Sequence, residues 1–252
     1  MSQQKRQREL RKTEKAALKR AKRHGLDDPL APPKGLLGNE AQELEPPGTG
    51  KSEAVLAFWF GALEGPLDVD TRESAMWRVA GEDSDAEILE RFGDLVEAAL
   101  EGNLDLWRES ARGSLALVIL LDQLTRRIGR GTAAAFAGDS AALELCRAAL
   151  ERGDDRKLRL IERAFLAMPL IHSEDAETAQ GGVELFLHLS QEIAGASESP
   201  FPGFYRRAME HAQILRRFGR YPQRNVALNR ESTPEEREYL TAKEASKTSS
   251  VS

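Results

Sequence analysis

With 252 residues, 40% of them hydrophobic, the chain has enough apolar material for one domain of ordinary to large size plus tails. Its 34 Ala and 33 Leu outnumber 8 Val and 7 Ile, which favours helices over strands. The longest apolar run, Leu115 to Leu121, is far shorter than the about twenty residues of a membrane span. A single cysteine, Cys146, excludes an intramolecular disulfide, and with no apolar segment near Met1 to act as a secretory signal the expected location is cytoplasmic.

Residues 1–24 hold ten Lys or Arg and two Glu, a net of +8, which leaves −13 for the remainder of a chain of net −5. An arm so poor in apolar residues cannot bury a face of its own. Its expected role is a solvated extension, at most a weak binder of phosphate or anionic lipid, and nucleic acid is not otherwise an expected partner. Residues 25–50 are rich in Pro and Gly and read as linker. The expected organisation is therefore an arm and linker over 1–50, a helical domain over 51–242 and a disordered polar tail over 243–252. Within the linker, PPGTGKS (Pro46 to Ser52) falls short of a phosphate loop. The first glycine of that motif is replaced by Glu45, and the preceding LGNEAQELE is too polar for a buried strand. It reads as a turn into a helix capped by Ser52.

Successive helices follow. Ser84 and Glu87 have capping-box spacing ahead of Ile88, Phe92, Leu95, Val96 and Ala99, with Gly102 as the stop. Residues 114–128 predict a helix apolar all round at its start, hence central. Asp139 is placed to cap a helix carrying Leu143, Cys146 and Leu150 and ending at Gly153. Leu158, Ile161 and Phe165 mark the next, predicted to end before Pro169. Ser173 is placed to open another running towards Gly195, and Phe204, Ala208, Ala212, Leu215 and Phe218 mark one more. Thr233, Pro234, Glu235 and Glu236 read as cap, first position and acidic first turn of the last. Short connections imply antiparallel neighbours, so the expected fold is all-α, built of stacked helix pairs.

Three polar clusters interrupt these apolar helices. In LLDQLTRRIGRG, Asp122 follows seven apolar residues, Arg126 lies four on along the same face, and Arg130 extends that face. A buried carboxylate must be paired, so this is either a structural ion pair or one wall of a ligand cleft. In MPLIHSED, His172 sits beside a helix start as an acid, base or hydrogen-bond donor, and Glu174 and Asp175 suit the positive end of that helix. In RRFGRYPQRNVALNR five Arg and no acid lie between Arg216 and Arg230, a density of guanidinium forks suited to carboxylate or phosphate. His211, just upstream, shares the apolar face of its helix and reads as a core residue or a site residue. No histidine belongs to a metal-binding spacing, no serine-hydrolase elbow is present, and Cys146 reads as inert packing, so neither a metal nor another cofactor is expected.

The strings VLAFWFG (Val55 to Gly61), Trp77, RFGDLVEAALEGNLDLW, LALVILLDQ, RGTAAAF, MPLIHSED, RFGRYPQRN and ESTPEEREYL together resemble the bacterial family catalogued as domain of unknown function 924, from about Val55 to Leu240. The resemblance implies a tetratricopeptide-repeat-like α–α superhelix. It marks Asp122, Gln123, Arg130, His172, Glu174, His211, Arg217, Arg220, Arg224 and Asn225. The chain departs from the family pattern at Thr125–Arg126–Arg127, where Pro-Arg-Asn is usual, and at Gln223, where a histidine is usual.

The expectation that follows is one concave pocket for a small anionic molecule. Arg126, Arg130, Arg217, Arg220, Arg224, Gln123 and Asn225 would bind, and Asp122, His172, Glu174 and His211 would serve acid–base work such as hydrolysis. The alternative is a non-catalytic helical scaffold that holds a peptide or protein.

Overall fold

The computed structural model describes residues 50–63, 65, 81–192 and 201–249. The basic arm, the linker before Gly50, Trp77 and the helix end expected near Gly195 lie outside the described residues. Eight helices are described, in line with the helix-rich composition: α1 (Lys51–Phe60), α2 (Glu82–Leu100), α3, α4 (Asp139–Glu151), α5 (Leu160–His172), α6 (Ala176–Glu192), α7 (Phe201–Phe218) and α8 (Pro234–Ser249). The described residues contain no strand, and none of their helices is long and apolar enough to cross a membrane.

Helix α3 is one rod in three parts: Ala111–Val118 is α-helical, Ile119–Leu124 is π-helical, and Thr125–Ile128 returns to α. Ser110 caps it, its hydroxyl accepting from the Gly113 N–H at 3.0 Å. Leu115 to Leu121 are all essentially buried, as an all-round apolar segment requires, and α1, α2, α4 and α5 pack around them. The chain then runs α5 to α6 to α7 as consecutive packed neighbours. Gly182 makes the α5–α6 contact close: a Cβ there would lie 2.7 Å from a methyl of Ile171.

Several helix ends differ from expectation. Helix α1 starts at Lys51 with Gly50 before it, so Ser52 is inside the helix and buried rather than capping it. Helix α2 starts at Glu82, and the Ser84 hydroxyl donates back to the Gly81 carbonyl. Helix α5 continues through Pro169 to His172. Proline removes one N–H from the ladder, but eleven of the thirteen residues of this helix are buried, and packing on both sides of the proline outweighs that loss. His172 is therefore the last residue of α5 rather than a residue at the start of α6. The cap of α6 is Asp175, whose carboxylate accepts from the Thr178 N–H at 2.8 Å, while Ser173 only accepts from the Asp175 N–H. Helix α8 matches its sequence signature: Thr233 accepts from the Glu236 N–H and Glu236 reciprocates. It runs to Ser249, beyond the boundary expected at 242.

Candidate functional site

The π-helical segment is the origin of the site. At its end the Thr125 N–H donates to the Leu120 carbonyl five residues back, and the Thr125 hydroxyl donates to the same oxygen at 2.8 Å. Such one-turn insertions are often found at functional sites. Here the segment carries Asp122, with no exposed surface, and Gln123 beside it. The start of α4 comes down onto the same turn because residue 138 is glycine. A Cβ there would lie 2.2 Å from the Leu121 carbonyl oxygen. This approach brings Asp139 next to Arg126.

A chain of charges results. The Asp122 carboxylate accepts from His172 Nδ1 at 2.7 and 2.9 Å, from Gln123 Nε2 at 2.5 Å and from Arg126 Nη2 at 3.2 Å. Arg126 Nη2 also donates to Asp139 at 2.7 Å. Arg224 Nη1 donates to the other Asp139 oxygen at 3.1 Å, and its Nη2 donates to the His172 carbonyl at 2.7 Å. The Arg224 guanidinium lies 4.7 Å from the ring centre of Phe136 and 4.8 Å from that of Tyr221. The Ile171 carbonyl accepts from the Tyr221 hydroxyl at 2.6 Å and from His211 Nδ1 at 3.0 Å.

These contacts set the protonation states. Burial pushes the Asp122 carboxyl up, but the His172 imidazole and the Arg126 guanidinium outweigh it and hold the group at about 2. Burial wins at Asp139, which stays above the ordinary carboxylate range despite Arg126 and Arg224, with the Asp122 charge adding to the upward push. Burial also lowers His211 to about 4, so its imidazole is neutral at pH 7. Since carboxylate and carbonyl oxygens only accept, both His172 and His211 carry their hydrogen on Nδ1. Nε2 of His172 meets no hydrogen-bonding partner among the described residues.

His172 borders a hollow of about 370 Å³ together with Gln123, Phe165, Met168, Phe204, Arg206, Arg207 and Glu210. That volume suits a small molecule. Its walls are part aromatic, from α5 and α7, and part cationic. Of the residues singled out in the sequence, Asp122, Gln123, Arg126, His172, His211 and Arg224 lie in one network of contacts, of which Gln123 and His172 border the hollow.

Other expected binders are elsewhere. Arg130 forms a two-point pair with Asp85 of α2, at 2.6 and 3.2 Å, alongside the Arg127–Asp85 pair, and touches none of the groups around His172. Arg220 is bound by Glu236 at 2.7 and 2.9 Å, and Asn225 is buried between Ser232 and Glu236. Glu174 accepts from the Tyr221 N–H and from both Nη atoms of Arg230. It is a tether between α5 and the segment after α7, with its pKa drawn down against burial by Arg230, so it is neither a proton carrier nor a helix cap. The joint arginine clamp expected from Arg130, Arg217, Arg220 and Arg224 does not form. Asp139, Phe136, Tyr221, Arg206, Arg207 and Glu210 were not anticipated as site residues. Asp139 and Tyr221 carried some sequence signal, as a polar residue at a helix start and an aromatic among arginines. Arg206, Arg207 and Glu210 sit on a helix face with no distinguishing spacing.

Among the described residues no group of three His, Cys, Asp or Glu side chains is arranged to hold a metal ion. No curated protein matches this chain. The solved structure of a protein of unknown function from Agrobacterium tumefaciens is similar, with a TM-score of 0.62 and 36% identity, over 75% of this chain and 96% of that one. The family model described as bacterial protein of unknown function (DUF924) matches residues 55–244, and the chain belongs to that family.

Proposed function

We propose that the protein is an acid–base enzyme acting on a small molecule with an anionic group, held in the hollow beside His172. His172 Nε2 is the proton carrier and Asp122 its orienting partner. In a hydrolytic reaction Nε2 takes a proton from water as the oxygen attacks the substrate, then returns it to the leaving group. Gln123 fixes the second Asp122 oxygen. Arg206 and Arg207 offset the substrate's negative charge, while Phe165, Met168 and Phe204 contact its apolar part.

One observation carries this reading: a fully buried carboxylate, held ionised, is bonded to Nδ1 of His172, a residue that borders a hollow. Burying a charge there is expensive, and orienting a base is a use for it. The non-catalytic alternative, a scaffold for a peptide or protein, leaves that charge only its structural pairing with Arg126.

The test is a thermal-shift screen of small carboxylate and phosphate esters, followed by turnover assays on those that stabilise the protein. His172→Gln should keep binding and lose turnover by about 10²–10⁴-fold. Equal turnover by wild type and His172→Gln would overturn the proposal.

A further inference from the structure

A second hollow, of about 760 Å³, lies between α7 and α8 and shares Arg207 and Glu210 with the first. Three cations border it: Arg207, Arg217 and Lys243. Among the described residues none of the three forms an ion pair, whereas Arg220, Arg224 and Arg230 nearby are each bonded to a carboxylate.

Aromatic rings, in place of counter-charges, lie against two of them, Arg217 and Lys243. The Arg217 guanidinium lies 4.7 Å from the ring centre of Phe218 and 6.0 Å from that of Tyr239, and Lys243 Nζ lies 5.7 Å from the Tyr239 ring centre. The Phe218 and Tyr239 rings are themselves packed at 5.2 Å. These two cations already lie near the rings, so the rings are less available to stack a ligand base, and the donors are what the hollow offers. Among the described residues Glu210 is the one carboxylate on its wall.

We infer that this hollow binds a multiply charged oxyanion, a phosphate ester or a polycarboxylate, through Arg207, Arg217 and Lys243. The shared Arg207 makes the oxyanion one end of a ligand whose other end reaches His172. That last step rests on the acid–base reading above, whereas the oxyanion site itself does not.

The experiment is calorimetric titration of the full chain with pyrophosphate and, separately, citrate at low ionic strength. Either probe should bind wild type, and the one that binds identifies the phosphate or the polycarboxylate class. The Arg217→Ala/Lys243→Ala double variant should lose at least about tenfold in affinity, the scale of one charge-assisted hydrogen bond. Arg216→Ala removes a neighbouring exposed charge that lines neither hollow and should bind like wild type. Glu210→Gln should bind more tightly. His172→Gln should bind like wild type, which separates this site from the proton carrier. Binding of neither probe, a double variant that binds like wild type, or an equal loss in Arg216→Ala would each overturn the inference. If the oxyanion binds as described while His172→Gln turns over normally, the site stands and the acid–base reading fails.

Discussion

Asp122→Asn changes one charge at the centre of the site and almost nothing in shape. Asp122 is held at about 2 against an ordinary 3.8, a difference worth roughly 2 kcal/mol of folding stability at neutral pH. The amide forfeits that interaction and leaves Arg126 with Asp139 as its remaining carboxylate. The melting temperature should fall by roughly 4–8 °C, at about 2–4 °C per kcal/mol for a domain of this size. Because the folded value is depressed, the stabilisation is complete above about pH 4 and disappears as pH falls through about 2. Urea unfolding of wild type and variant at pH 7 and pH 3 should therefore show a gap that shrinks at the lower pH. Other depressed carboxylates, among them Glu236 at about 2 through its bond to Arg220, weaken both proteins in acid, so the difference between them isolates Asp122. A gap below about 0.5 kcal/mol at pH 7, or one as large at pH 3, would refute the reasoning.

Gly138→Ala places a methyl against the Leu121 carbonyl and should destabilise by about 1–3 kcal/mol in urea, while separating Asp139 from Arg126. Arg130→Ala removes a half-exposed pair with Asp85 and should change stability by less than about 1 kcal/mol, with ligand binding at His172 unchanged in a thermal-shift assay. Cys146 is fully buried, and burial pushes its thiol up to about 12, so a thiol reagent at pH 8 should label it only after denaturant is added.

The helices were legible because Ala and Leu recur at helical spacing and because signatures such as Thr233–Glu236 act locally. Where they failed, tertiary contact decided. Pro169 is tolerated because both its flanks are buried, and the six-residue π segment has no spacing in the sequence that sets it apart from the α-helix on either side. In the site, Asp122 and His172 were legible as a carboxylate and an imidazole where the pattern wanted apolar residues. Their pairing was not, since they are fifty residues apart and meet only through the packing of α3 on α5. Arginine density misled for the same reason. Five arginines without a local acid suggested a shared anion site, but Asp139, Glu174 and Glu236 arrive from elsewhere in the chain and bind three of them. Arg217, which has no such partner, borders a hollow instead.

Nitrogen-15 NMR of the histidine rings tests most directly whether Asp122 presents His172 as an oriented base. In the neutral form of wild type, His172 should carry its hydrogen on Nδ1 and leave Nε2 unprotonated. Asp122→Ala should mix the two tautomers while His211 stays as it was. A His172 protonated on Nε2 in wild type, or a ring indifferent to loss of Asp122, would contradict the account.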